Sequence, residues 1–331
     1  MEPIGLAIDT TFDDTSVAIL RGHREVLANT TLSQFDDHAE FGGVVPERAS
    51  RKHLEVINVL LSATLKQAGL GYRDIDWIAV SNTPGLLGSI LVGLTVAKTL
   101  AFALGKPLIG INHIEAHPYA NIIEQGPFPF PAIHLIVAGG HTLLVHQQAH
   151  FQWQVVGRSV DDAAGECVDK VAKLYGFPMP GGAAVDRASQ EYPADRYRFP
   201  RPMLDKPNLD FSFSGLKTAL RDFQAANPDA PSGPVFAALL DSIADVLIAK
   251  TLCAADELAV DTITVSGGLA ASRTLRGRFT KACQDKGLTL YYPSPALCTD
   301  NAAMVACLAS YRYAAGLVDD LALEGAANLV T

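Results

Sequence analysis

Two histidines stand four residues apart in His113-Ile114-Glu115-Ala116-His117. On a helix this spacing puts both imidazoles on one face, where two nitrogens can grip one metal ion. Glu115 sits between them and points away from the pair. The order H-x-E-x-H therefore lacks the general base of the H-E-x-x-H zinc proteases. A metal would need a third ligand. Asp300, in Cys298-Thr299-Asp300-Asn301 at the start of a helix, is a candidate. Two imidazoles and a carboxylate with open positions would suit Zn2+ or Fe2+. The plainer alternatives are two histidines at a helix start and an aspartate that only caps a helix.

Glycine pairs make a second constellation: Gly139-Gly140, Gly181-Gly182 and Gly267-Gly268. Such turns let backbone N–H groups approach an anion closely. No GxxxxGK[ST] and no GxGxxG occurs, which excludes a P-loop and argues against a Rossmann dinucleotide site. Carboxylates form the third set. Asp9, Asp13 and Asp14 cluster near the N-terminus, either as functional groups or as a solvated acidic turn. Asp161, Asp162, Glu166 and Asp169 cluster before a helix, and for Asp161 and Asp162 simple helix N-terminal charge is the alternative. Asp169 and Asp186 would suit ribose hydroxyls.

Alternating strand and helix signals must position these groups. Ile4–Ile8 and Ser16–Leu20 read as a hairpin with an acidic tip. Glu47–Gly69 has helical periodicity and a glycine C-cap. Strands follow at Trp77–Ser81 and Leu108–Ile111, with the apolar stretch from Ser89 to Gly105 between them. That stretch carries Lys98 and reads as a buried helix rather than a membrane span. The first ~110 residues thus give β-β-α-β-α-β. Near Pro131 the pattern restarts: apolar Ile133–Val137, the Gly139-Gly140-His141 turn, apolar Leu143–Val145, then Ile263–Ser266 before a helix. Two α/β units suggest a duplicated fold clasping a nucleotide in a cleft between halves. Residues 192–206 form a basic, Pro-rich insert, and the tail from Asp319 carries few signals.

Composition narrows the function classes. The 331 residues are 49% hydrophobic and 18% charged, a globular balance of about two domains. The net charge of −9 argues against gripping nucleic acid or an anionic membrane unaided. Five widely spaced cysteines without a CxxC pair argue against a disulfide scaffold or a zinc knuckle and fit a reducing cytoplasm. The opening Met1-Glu2-Pro3 does not read as a signal peptide.

Taken together the motifs resemble the TsaD/Kae/Gcp family, tRNA N6-adenosine threonylcarbamoyltransferases of the actin–hexokinase–Hsp70-like superfamily. The resemblance rests on Gly42-Gly43-Val44-Val45-Pro46-Glu47 with Ala49-Ser50-Arg51, and on Pro84-Gly85-Leu86-Leu87-Gly88. It continues through His113–His117, Ala138-Gly139-Gly140-His141-Thr142, Asp161–Glu166 with Asp169-Lys170, and Phe199-Pro200-Arg201-Pro202-Met203. It ends with Asp210-Phe211-Ser212-Phe213-Ser214-Gly215-Leu216-Lys217-Thr218 and Cys298–Asn301.

The resemblance implies a duplicated actin-like (ribonuclease H-like) α/β fold. One lobe would span 1–115, completed by a C-terminal helix within 300–331, and the other 116–299. The implied reaction moves threonylcarbamoyl from threonylcarbamoyl-adenylate to N6 of an adenosine beside the tRNA anticodon, releasing AMP. It places the ligands of one divalent metal, Fe2+ or Zn2+, on His113, His117 and Asp300. It places donor contacts on Ile136, Val137, Ala138, Gly139, Gly140, His141, Asp169, Gly182, Asp186 and Ser272. The hairpin aspartate Asp13 would accept or orient the amine proton.

The expected partners are tRNA, a TsaB-like pseudo-enzyme and a TsaE-like ATPase. A homodimer or heterodimer in the cytoplasm, without a membrane, completes the expectation. The basic insert with Arg196, Arg198, Arg201 and Lys206 would help meet tRNA, or be an ordinary loop.

The chain departs from the family pattern at Asp9 and Asp14 (glutamates elsewhere), Phe12 (cysteine), Asn112 (histidine), Ala138 (serine) and Ser272 (asparagine). Its tail lacks the usual Arg/Trp-rich ending. Competing readings are a weakened scaffold of the same assembly, an actin-fold ATPase or sugar kinase, and an endopeptidase. The intact His/His/Asp set counts against the first two, and the missing HExxH against the last.

Overall fold

The computed structural model describes residues 2–38, 41 and 43–328, so Gly42 of the glycine block lies outside the described residues. The chain divides into two compact units. One comprises Met1–Gly126 with Asp300–Thr331, the other Pro127–Thr299.

In the first unit, β1 (Ile4–Asp9), β2 (Asp14–Arg21) and β3 (Glu25–Ser33) form an antiparallel meander. Two parallel strands, β4 (Trp77–Thr83) and β5 (Leu108–Asn112), extend the sheet beyond β1, giving the order β3-β2-β1-β4-β5. Apolar residues fill β1 and β2 almost without alternation because helices cover both faces. Leu6, Ile8, Val17 and Ile19 pack with Ile57, Leu61 and Leu65 of the helix Pro46–Ala68 and with Val92 and Leu94 of the helix Leu87–Leu104. The C-terminal helix Ala302–Ala314 packs back on β1 and β2, and its buried run Ala302–Ser310 is rich in small residues that allow close approach.

The second unit repeats this topology. Strands β6 (Ala132–Ala138), β7 (His141–Ala149) and β8 (Gln152–Arg158) form the meander. Strands β9 (Thr262–Ser266) and β10 (Thr289–Tyr291) lie parallel beyond β6, in the order β10-β9-β6-β7-β8. Its core gathers Ile133, Leu135 and Val137 with Val168, Phe236, Leu240 and Phe279. The molecule is a duplicated α/β fold of the actin-like two-lobe kind.

Several elements differ from the expectation. The meanders have a third strand, β3 and β8, that hydrophobic patterning does not announce. β3 mixes exposed and half-buried residues because it is an edge strand whose register comes from its ladder with β2. The first unit runs on to Gly126 instead of stopping at 115, because the helix Tyr119–Gln125 packs on the C-terminal helix. Leu87–Leu104 is the one helix among the described residues long and apolar enough to cross a membrane. It turns Ile90, Val92, Leu94, Ala97 and Ala101 into the core but leaves Leu87, Leu91 and Phe102 exposed, so it is half-buried rather than buried.

Residues 319–328 of the tail form a strap along the sheet. Asp319 bridges Leu108 and its carboxylate accepts the Gly110 N–H at 2.8 Å. Further along, the carbonyls of Glu324 and Asn328 accept from the side chains of Asn82 and Thr83 at 2.9 Å each. Within the insert, Arg201 is a structural cation rather than an open basic group. It donates to Asp241 and Asp245 at 2.7 Å each, and Arg278 reaches the same two carboxylates.

Candidate functional site

In the first unit the site begins where β5 ends. Asn112 caps a short helix, His113–Ala116, by accepting the N–H groups of Ile114 at 3.0 Å and Glu115 at 3.4 Å. His117 continues the helical backbone, so both imidazoles face the same way with ring centroids 4.9 Å apart. Asp300 faces them from the other end of the unit's chain. Its Oδ1 lies 3.5 Å from His113 Nε2 and 3.6 Å from His117 Nε2. Asp300 is not the cap of the C-terminal helix, because Asn301 Oδ1 accepts the Met304 N–H at 3.0 Å and does that work.

These donors fit a metal ion. One nitrogen from each histidine and one oxygen from Asp300 all lie within 4.8 Å of one another. Ligand atoms about 2.1 Å from a tetrahedral ion stand about 3.4 Å apart, close to both observed nitrogen–oxygen separations. Asp9 sets the tautomer. It ends β1 fully buried, and its Oδ2 takes the His113 Nδ1–H at 2.8 Å, which turns Nε2 toward Asp300 as the nitrogen that a metal ion, or in its place a proton, would occupy. Its Oδ1 accepts from the Thr11 N–H at 3.1 Å and the Thr11 hydroxyl at 2.9 Å. Burial opposes charge on His113, but Asp9 and Asp300 outweigh it and raise its pKa well above the usual imidazole range. This orienting role of Asp9 escapes sequence reasoning, which sees only one more acidic residue near a hairpin tip. The available signal is a carboxylate at the C-terminal end of a strand, where α/β sheets build their sites.

Asp13 and Asp14 are not a solvated turn. Both are half-buried, and burial raises both pKa values, Asp14 to about 7. The charge of Asp300 pushes Asp13 the same way.

In the second unit the sequence-derived contacts gather around the C-terminal ends of β6 and β9. Ile136 and Val137 have buried side chains and can offer only backbone to a ligand. Gly139 turns the chain at φ 49°, a conformation that favours glycine. Gly267 packs so tightly that an added Cβ would lie 2.4 Å from the Val137 carbonyl oxygen. Asp169 accepts the Gly181 N–H at 2.7 Å, tying itself to the turn that opens the helix Gly182–Ser189. Asp186 on that helix accepts the Ser272 hydroxyl at 2.5 Å, and Ser272 also caps the helix Arg273–Lys286. Ala138 and His141 flank the glycine turn at the strand ends.

Asp161 and Asp162 are anchors rather than helix-end charges. Asp161 accepts from the hydroxyls of Ser212 and Ser214 and from the Phe213 N–H, at 2.5, 2.6 and 2.8 Å. Asp162 pairs with Lys170 and Lys217 at 2.6 Å each. They hold the Asp210–Thr218 block in place.

The sequence profile of TsaD, tRNA N6-adenosine threonylcarbamoyltransferase, matches residues 25–307. The chain belongs to the TsaD family. A Staphylococcus epidermidis tRNA N6-adenosine threonylcarbamoyltransferase is 45% identical over 328 residues, covering 98% of this chain and 96% of the relative. The Staphylococcus haemolyticus protein of the same name is 44% identical over 332 residues, covering 99% and 96%.

Solved structures share the fold alone. Full-length HypF in its phosphate- and nucleotide-bound form superposes with a TM-score of 0.61 at 14% identity, covering 93% of this chain and 46% of that one. Component A of the Acidaminococcus fermentans (R)-2-hydroxyglutaryl-CoA dehydratase gives 0.56 at 16% identity, covering 95% and 99%. The TsaD-family motifs fall in both units: the histidine pair in the first, the glycine turn and the Asp210–Thr218 block in the second.

Proposed function

We propose that the chain transfers the threonylcarbamoyl group of threonylcarbamoyl-adenylate to N6 of the adenosine adjacent to the anticodon, in tRNAs reading codons that begin with A. AMP is released. The observation that carries this reading is the His113–His117–Asp300 cluster, oriented by Asp9, in a chain 45% identical over nearly its whole length to proteins named for the reaction.

An exocyclic adenine amine is a poor nucleophile and must lose a proton as the new bond forms. Asp13 accepts it. A carboxylate whose pKa is raised by burial and by Asp300 is a better base than an exposed one. His113, His117 and Asp300 would hold Fe2+ or Zn2+, which when bound stabilises negative charge on the carbonyl oxygen under attack. Asp9 keeps Nε2 of His113 available as a ligand.

Backbone N–H groups of Gly139 and Gly140 hold the adenylate phosphate, flanked by Ala138 and His141. Asp169 and Asp186 engage the ribose, with Gly182 and Ser272 setting their positions. Ile136 and Val137 contribute backbone. AMP is a good leaving group, so orientation supplies much of the rate.

With a net charge of −9, part of the tRNA surface comes from partners. These are a TsaB-like pseudo-enzyme and a TsaE-like ATPase acting in the cytoplasm, with Arg196, Arg198 and Lys206 contributing from this chain.

The test is reconstitution of the chain with threonylcarbamoyl-adenylate and unmodified tRNA, with and without partners, followed by nucleoside analysis. Threonylcarbamoyladenosine should form and should vanish in His113→Ala and Asp300→Ala. Failure to form product with any partner set, despite bound metal, would overturn the reading.

A further inference from the structure

We infer that His53 is a positioning residue for Asp13, fixing the loop between β1 and β2 on which that carboxylate stands. His53 is wholly buried on the helix Pro46–Ala68. Its Nε2 lies 3.0 Å from the Phe12 carbonyl oxygen. A carbonyl only accepts, so the ring proton sits on Nε2. Nδ1 is then the acceptor, and it takes the Thr15 hydroxyl proton at 2.7 Å. One imidazole therefore grips the chain on both sides of Asp13 and Asp14. Burial holds the His53 pKa below the usual range, in keeping with this neutral tautomer.

A second clamp acts on the next carbonyl. The backbone N–H of Gln34 donates to the Asp13 carbonyl at 3.1 Å. The Gln34 side chain donates to the Ala49 carbonyl at 3.3 Å and accepts from His38 Nε2–H at 3.2 Å. His38 Nδ1 accepts the Val45 N–H at 3.4 Å, which fixes its tautomer as well. The carbonyls of Phe12 and Asp13 are thus both held by one buried polar network, rooted in the start of the helix Pro46–Ala68. Fully satisfied networks of this kind rigidify what they touch. A proton acceptor misplaced by about 1 Å can lose on the order of a hundredfold in rate. The inference rests on Asp13 acting as proposed above.

The experiment compares His53→Ala, His53→Gln and Asp13→Asn in the reconstituted assembly. His53→Ala should lower kcat by about tenfold or more. KM for threonylcarbamoyl-adenylate and metal content should stay unchanged, because their ligands lie elsewhere. His53→Gln, whose amide can donate to Phe12, should recover part of kcat. Amide hydrogen exchange across residues 10–16 should quicken in the alanine variant and much less in the glutamine variant.

An unchanged kcat in folded His53→Ala, or a loss that falls on KM or metal content, overturns the inference. Should the alanine variant not fold, Thr15→Val removes one hydroxyl only and should show the same kcat pattern in milder form; an unchanged kcat there is equally decisive against it. If Asp13→Asn keeps full activity, the role of Asp13 itself fails. If Asp13→Asn is inactive while His53→Ala is not, only the positioning role fails.

Discussion

Asp9 reaches the reaction only through His113. Its carboxylate takes the Nδ1 proton at 2.8 Å and is itself tied to Thr11, so the ring has one orientation, with Nε2 turned to the metal side. Partners of metal-bound histidines typically contribute 10- to 100-fold in metal affinity. Asp9→Ala should therefore weaken Zn2+ binding by about that factor while leaving the fold intact, as read by competition with a chromophoric chelator. Unchanged affinity would mean that helix geometry alone orients His113. The histidine pair is legible in sequence because four-residue spacing is a local property of a helix. The hydrogen bond that His113 donates to a residue more than a hundred positions earlier is not.

At the scale of elements, the tail shows how a segment without pattern becomes structure. Residues 319–328 form no helix and bury little apolar surface, yet they bond repeatedly to the ends of β4 and β5. Asp319 meets Leu108 and Gly110, and the Asn82–Gly85 segment bonds to residues 324, 326, 327 and 328. Deleting residues 319–331 removes these bonds and exposes the edge of the sheet. The expected result is a lower melting temperature and faster hydrogen exchange in β5, with β6–β10 unaffected. A deletion variant with wild-type melting and exchange would show that the strap only decorates the edge.

β3 and β8 teach the same point. Short edge strands take their register from the neighbouring strand's ladder, which a linear pattern does not display.

For the molecule as a whole, a buried imidazole sets part of its acid limit. His134 lies inside the second unit, bonded to Thr264 and Gln147 at 2.8 Å each, and burial lowers its pKa to about 3. The unfolded chain binds this proton near the ordinary value of about 6.5, so the folded state binds fewer protons between those limits. The stability contribution is complete above about pH 6.5 and is lost as pH falls, by about 1.4 kcal/mol per pH unit. Urea unfolding at pH 7 and pH 5 should show the native protein losing about 2 kcal/mol more than His134→Gln. Equal losses would remove His134 as the source.

What the sequence determined by itself is local. Hydrophobic runs bounded by turns place the inner strands, periodicity and Gly69 place the helix Pro46–Ala68, and motif spacing marks the histidine pair and the family. Each follows from interactions within a few turns or strand residues. Only the tertiary structure decided what depends on distant parts of the chain meeting. It supplied Asp9 behind His113, gave the capping work to Asn301 so that Asp300 faces the histidines, and joined Asp186 to Ser272. It also turned Arg201 from a basic loop residue into one member of a four-charge network with Arg278, Asp241 and Asp245. The physical reason is that hydrogen bonds and ion pairs are set by proximity in space, and the two sheets bring together residues that separation along the chain keeps invisible to pattern.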